Sequence, residues 1–290
     1  MICYKRGIGL QGPGAVSSTT TSPRTQGLAR RLLYMSGASL WERFRRGEGG
    51  LLAINVTLVA FARPAALVGA SQIAISALLL AAVYAVNDWR DAEDDRRNPK
   101  KNQQLVGMLV EFRRPFFVWL CAMQLALVVF AFAAVGPAAA VAVAAMVAIN
   151  FIYSWRLKGV PIADLFIVFA WGASYVAIAT PPWSLCVAVG LMTGIMHVFQ
   201  TQEDRDVDVA NDVLTTVAGS ARARYGAVAL QCAGLYLALL GSLGPLLAVS
   251  AFVPVLLQRL FVDNAKAWMA SRIYCGIVVL AVLRVVYGHG

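Results

Sequence analysis

The chain has 290 residues, of which 59% are hydrophobic and 14% charged, with a mean hydropathy of +0.68. Water-soluble domains carry roughly 25% charged and about 45–50% apolar residues, so the composition excludes a soluble domain and requires a lipid bilayer around most of the molecule. The formal charge of +10 would suggest nucleic acid as a partner of a soluble chain; in a membrane chain it reads as topology, and no nucleic-acid partner is expected.

In chain order, residues 1–48 form a first region. Its opening is rich in Gly, Ser, Thr and Pro and basic, with no acid before Glu42, which predicts a disordered tail. Lys5-Arg6 is not followed by an apolar core, so the tail is no secretory signal, while an organelle transit peptide stays open. From Ala29 to Arg46 the spacing of Leu33, Leu40, Trp41 and Phe44 among arginines predicts a modest amphipathic helix at the membrane surface, with a solvated linker as the competing reading.

Residues 49–290 read as a single transmembrane domain. Three stretches lack any Lys, Arg, Asp or Glu: 115–155, 165–202 and 225–258. Each is too long for one crossing of a ~30 Å core by ~20 residues. Each also carries a central break, at Gly136-Pro137, Pro181-Pro182 and Gly244-Pro245, so each predicts a helical hairpin. Residues 64–86 and 268–287 add two spans, and 49–62 a short one that ends at Arg63-Pro64. The expected fold is an all-α integral membrane bundle of about nine helices. The five cysteines are odd in number and scattered, and read as small apolar packing residues.

With nine spans, the N-terminal tail and the even-numbered gaps hold 23 of the 25 Lys and Arg residues, which places that face in the cytoplasm or its equivalent. A bacterial inner membrane is the expected location, with an organelle membrane as the other. Ten of the 15 acids fall on the same face in two short windows, 88–95 and 203–212.

In the first window, Asp88, Asp91 and Asp95 share a helix sector of about 60°, while Glu93 and Asp94 point elsewhere. In the second, Asp204 and Asp208 lie about 40° apart. Carboxylates so crowded repel one another by a few kcal/mol at an intermediate dielectric, a cost that a multivalent cation removes. All-oxygen ligands suit Mg²⁺, which takes one or two carboxylates together with substrate phosphate oxygens. Two facing clusters with basic neighbours therefore describe a metal and diphosphate site. Arg90, Lys100, Lys101 and Lys158 are its candidate cations. Solvated loop acids are the plain alternative, against which stand the matched spacing and the shared face. An EF-hand reading of Asp204 to Asp208 fails, because Val209 stands where the turn needs Gly. His197 shares a face with Gln200 and Asp204 and is placed on the cavity side, with packing as its other reading.

These residues resemble a known family. Asn87-Asp88-x-x-Asp91-x-x-x-Asp95 and Asp204-x-x-x-Asp208 match the two acidic motifs of the UbiA superfamily of intramembrane prenyltransferases, and Tyr153-Ser154 to Lys158 is similar to its loop between the fourth and fifth helices. The resemblance covers roughly residues 50–290. It implies a bundle around a central cavity whose mouth is cytoplasmic. It implies one Mg²⁺ held by Asp88, Asp91 and Asp95 with Asn87 assisting, a second held by Asp204 and Asp208, and a diphosphate contacted by Lys158 and Tyr153. The implied activity is Mg²⁺-dependent transfer of an isoprenyl group from an isoprenyl diphosphate to a lipophilic acceptor, with an aromatic one expected. A UbiA-type terpene cyclase is the alternative, followed by phosphoribosyl transfer to a polyprenyl phosphate and by a cation-binding membrane protein without chemistry.

The chain departs from the family pattern in three places. Where an Arg-Pro-Leu is usual it has Asn102-Gln103-Gln104-Leu105, leaving Lys100 or Lys101 as the expected substitute for the missing Arg. The Gly and basic residue usual after the second motif are absent from Val209 to Leu214, and the first span is short. These departures leave the acceptor open.

Overall fold

The computed structural model describes residues 27–45, 48–96, 101–157, 160, 163–203, 221–260 and 264–288, without side chains for 201–203, 221–224 and 264–265. Of the expected site residues, Lys100, Lys158, Asp204 and Asp208 lie outside the described residues. The described residues form helices and contain no strand. They are α1 (Leu28–Arg45), α2 (Gly50–Ala62), α3 (Ala66–Asp95), α4 (Gln103–Glu111), α5 (Arg113–Ala134), α6 (Pro137–Ile152) running into a π-helical turn (Tyr153–Leu157), α7 (Ala163–Ala177), α8 (Trp183–Glu203), α9 (Ala221–Ala248), a 3₁₀ turn (Val249–Phe252), α10 (Val253–Leu260) and α11 (Asn264–Tyr287).

Among the described residues, six stretches are long and apolar enough to cross a membrane: α3, α5, α6 with its π turn, α8, Tyr225–Leu260 and α11. The apolar helices α2 and α7 are shorter, at 13 and 15 residues. Tyr225–Leu260 is not a single rod, because Gly244 sits at φ 71° and ψ 167° with Pro245 behind it, a backbone no helix continues through. The result is a multi-pass membrane bundle of about nine apolar segments, as the charge-free runs predict. The breaks fall at the expected Gly and Pro residues. Gly136 takes φ 126° ahead of Pro137 in the first turn of α6, and Thr180 takes φ 52° ahead of Pro181-Pro182.

In lipid, helix association depends on close packing and on polar ties rather than on escape from water. Both occur here. Between α7 and α8, a Cβ added at Gly190 would stand 2.8 Å from the Phe169 carbonyl oxygen, and one at Gly194 would collide with Gln231 of α9. At Gly190 the neighbour is backbone, so only a glycine permits that approach. The buried Asn55 amide of α2 donates to Ser76 Oγ of α3 at 2.9 Å and to the Tyr175 carbonyl of α7 at 3.0 Å, while the Tyr175 hydroxyl donates to the Ser76 carbonyl at 2.9 Å. Two helices too short to span alone are thus fastened to each other and to α3.

Before the first span, the described residues Leu28–Arg45 form α1. Its Leu32 and Met35 enter an apolar cluster with Ala85 and Val86 of α3, Leu105 and Leu109 of α4, and Phe116 of α5. The Trp119 indole donates to Ser36 Oγ at 3.2 Å. Leu33, Tyr34 and Trp41 stay exposed on the outer side of α1.

Candidate functional site

The site lies where α3 leaves the apolar part of the bundle. Because α3 continues unbroken to Asp95, its carboxylates keep helical spacing. Asp88, Asp91 and Asp95 are half-buried, whereas Glu93 and Asp94 are exposed. Cations stand against Asp88 and Asp95. Arg43 donates from Nη2 to Asp88 Oδ1 at 2.8 Å and from Nη1 to Glu48 Oε2 at 3.3 Å. Lys101 Nζ stands 2.9 Å from Asp95 Oδ2. The Arg43 guanidinium also lies over the Tyr84 ring, 5.2 Å from its centroid. Burial opposes the charge on Arg43, but the facing Asp88 and Glu48 carboxylates outweigh it and raise the pKa above the ordinary arginine value.

A cavity of about 30 Å³ opens between these pairs, lined by Glu42, Arg43, Asp88, Asp95, Lys101 and Asn102, with Leu105, Val106 and Leu109 as its floor. Asn102 shapes its rim: its side-chain oxygen caps α4 by accepting from Leu105 N at 3.2 Å, and its amide donates to Glu42 Oε1 at 3.3 Å. Space of this size holds a water or two. Among the described residues, no three His, Cys, Asp or Glu side chains stand close enough together to share an ion, and the chain's own cations lie against Asp88 and Asp95. The donor chemistry nevertheless fits a hard divalent cation: the acidic groups lining the cavity, Asp88 and Asp95 of α3 and Glu42 of α1, offer only oxygens.

The π turn after α6 is brought to the same end by side chains. Ser154 Oγ donates to Asn87 Oδ1 at 2.7 Å. Trp155 stacks on Phe151 at 4.9 Å and tilts against Trp89 at 5.7 Å, and Trp89 stacks on Phe117 at 4.7 Å. Tyr153 and the start of its loop thereby stand beside the first acidic window. Elsewhere in the bundle, His197 Nε2 of α8 faces Asp164 Oδ2 of α7 at 3.6 Å, with Asp164 buried at the start of its helix; neither lines the cavity. Arg90 is exposed and does not line the cavity.

Sequence reasoning missed Arg43, Glu48 and Tyr84. Arg43 is one of eight basic residues before the first span, and nothing local separates it from the others. The flanking acids Glu42 and Glu48 enclose Arg45 and Arg46 as well.

The model of the UbiA prenyltransferase family matches residues 51–281. The chain belongs to the UbiA prenyltransferase family. Solved structures of similar fold agree. A UbiA homologue from Archaeoglobus fulgidus bound to GPP and Mg²⁺ has 15% identity and a TM-score of 0.64, covering 85% of this chain and 99% of that one. The same archaeal homologue bound to DMAPP and Mg²⁺ has 15% identity and a TM-score of 0.62, covering 83% and 96%. A structure of digeranylgeranylglyceryl phosphate synthase has 14% identity and a TM-score of 0.63, covering 90% and 99%. No curated protein sequence matches the chain. As a UbiA family member the chain is a multi-pass integral membrane protein whose first acidic motif, Asn87 to Asp95, lies inside the matched region, while α1 and Arg43 lie before it.

Proposed function

We propose that the chain transfers an isoprenyl group from an isoprenyl diphosphate to a lipophilic acceptor within the membrane, in a reaction that requires Mg²⁺. The observation that carries the reading is the row of three half-buried carboxylates at the polar end of α3, of which Asp88 and Asp95 line a cavity and pair with Arg43 and Lys101. Family membership and the GPP- and DMAPP-bound archaeal homologue support it.

In this reading Asp88, Asp91 and Asp95 hold one ion, with Asn87 fixed beside them by Ser154, and Asp204 and Asp208 hold a second. Bound Mg²⁺ supplies positive charge that stabilises the departing diphosphate. Lys101, Lys100 and Lys158 bind the diphosphate oxygens as point charges, and Tyr153 offers a hydroxyl donor. The bond between the allylic carbon and the bridging oxygen breaks, and both electrons leave with the diphosphate. The apolar bundle interior keeps water from the electron-poor isoprenyl chain. A nucleophilic atom of the acceptor then bonds to that carbon and loses its proton, for which the Asp164–His197 pair and the cavity-lining Glu42 are described proton-accepting groups outside the acidic windows. The orientation that follows has the N-terminus and the site mouth on the basic, cytoplasmic side.

Mass spectrometry of products from geranyl diphosphate with purified full-length protein and Mg²⁺ tests the reading. A prenylated phenol or long-chain alcohol formed only with acceptor supports transfer. A terpene hydrocarbon or alcohol formed from donor alone, faster than simple hydrolysis, contradicts transfer and assigns a cyclase.

A further inference from the structure

We propose that Arg43 is a donor-binding residue and that α1 is the element delivering it: with the site empty its guanidinium pairs with Asp88, and when a divalent cation takes that carboxylate it turns to the diphosphate. The inference rests on the donor site proposed above and adds to it a cation from outside the family-matched residues 51–281.

Three observations separate this role from that of a staple. First, α1 is docked without Arg43. Leu32 and Met35 are buried in the cluster with α3, α4 and α5, Trp119 donates to Ser36, and Asn102 donates to Glu42. Second, Arg43 is built to change partners. Its side chain is only 17% exposed, one arm of the guanidinium fork holds Asp88, and the other holds Glu48. Its plane lies against Tyr84, whose hydroxyl donates to the Glu48 carbonyl at 3.3 Å. Withdrawal of Asp88 therefore leaves the guanidinium anchored on Glu48 and Tyr84, at the same cavity wall, with one arm released.

Third, the cavity and the charges demand a rearrangement. At about 30 Å³ the space admits a water or an ion but no diphosphate. The Arg43–Asp88 and Lys101–Asp95 pairs bound it, so donor entry has to part them. A divalent cation on Asp88 leaves the released arm facing like charge in a partly dehydrated place, where a guanidinium needs an anion. The anion that arrives with the metal is the diphosphate, and a planar guanidinium fork matches its oxygens bidentately as an ammonium does not.

The test uses the full chain in detergent micelles and two binding readouts: Mn²⁺ alone by electron paramagnetic resonance, and the uncleavable analogue geranyl S-thiolodiphosphate with Mg²⁺ by calorimetry. In Arg43→Gln the analogue is expected to bind about 10- to 100-fold more weakly, as loss of a charge-assisted pair predicts. Mn²⁺ alone binds Arg43→Gln as tightly as wild type or more tightly, because Asp88 has lost its competing cation. Arg43→Lys recovers part of the analogue affinity, and Arg30→Gln, which removes an exposed charge from the same helix, changes neither readout. If Arg43→Gln lowers the unfolding midpoint, Arg43→Lys carries the test, with analogue affinity reduced severalfold and Mn²⁺ affinity unchanged. Unaltered analogue affinity in Arg43→Gln overturns the inference, as does parallel loss of Mn²⁺ and analogue in both variants. Wild-type protein that fails to bind the analogue with Mg²⁺ overturns the donor-site reading itself, and the inference with it.

Discussion

The two ends of the bundle are built by opposite means. At the end away from the carboxylates the chain reverses through local backbone. Arg63 adopts φ 47° and its N–H donates to the Val59 carbonyl at 3.0 Å, Gly136 N donates to the Ala131 carbonyl at 2.9 Å, and Thr180 N to the Ala177 carbonyl at 3.0 Å. At the carboxylate end the joins are side-chain pairs between residues far apart in sequence. Arg43 and Asp88 are 45 positions apart, Glu42 and Asn102 are 60, Asn87 and Ser154 are 67, and Ser36 and Trp119 are 83. A turn closed on its own backbone has one stable arrangement. Ion pairs facing a cavity can exchange partners, which an anion-binding end requires and a reversal does not.

This contrast can be broken or sharpened by substitution, and the largest effect belongs to the carboxylate end. Asp91→Asn is expected to lower Mg²⁺-dependent release of diphosphate from geranyl diphosphate by about 10²–10³-fold, with the thermal midpoint in detergent retained. Full activity in this variant would remove the acidic row from the mechanism. At the opposite end the pattern reverses. Gly136→Val places a β-branched residue at φ 126°, ψ 179°, a glycine region that costs other residues about 1–3 kcal/mol. Since open space surrounds that position, the cost is backbone strain alone. Chemical unfolding should register it while Mg²⁺ dependence stays as in wild type.

A smaller change is expected where α1 is docked. Trp119→Phe deletes the indole donor to Ser36, and an unfolding titration should lose about 0.5–1.5 kcal/mol. The smallest effect is reserved for Arg96→Gln. Its ion pair with Glu93 spans 3.5 Å between side chains about half exposed, so at most ~1 kcal/mol is at stake, vanishing in high salt. An effect of Arg96→Gln as large as that of Asp91→Asn would mean that general surface charge, and not the inward row, drives function.

The same contrast explains what was readable from sequence. The reversals were legible because Gly136-Pro137, Pro181-Pro182 and Gly244-Pro245 carry their own geometry, and the charge-free runs they interrupt are too long for one crossing. The inward row was legible because α3 stays helical through Asp95, so periodicity alone sorts Asp88, Asp91 and Asp95 from Glu93 and Asp94. The partner of Asp88 was not. Arg43 reaches it only because Leu32 and Met35 find a cluster formed by three other helices, and no spacing within the first 48 residues encodes that docking. Arg90, adjacent to Asp91 in sequence, looked like a cation for the site yet is exposed, since neighbouring positions on a helix face different ways. The Asn55, Ser76 and Tyr175 tie was equally hidden: three ordinary polar residues in apolar runs, meeting only once α2, α3 and α7 have packed.

The central claim is that the polar end of α3 works on an isoprenyl diphosphate held through Mg²⁺. Its most direct test is diphosphate release from geranyl diphosphate by the purified full chain, measured with Mg²⁺, with chelator, and in Asp88→Asn and Asp208→Asn. The account predicts release that appears with Mg²⁺, disappears with chelator and falls by about 10²-fold or more in each variant. Release that persists with chelator, or that the two variants sustain at the wild-type rate, would contradict it.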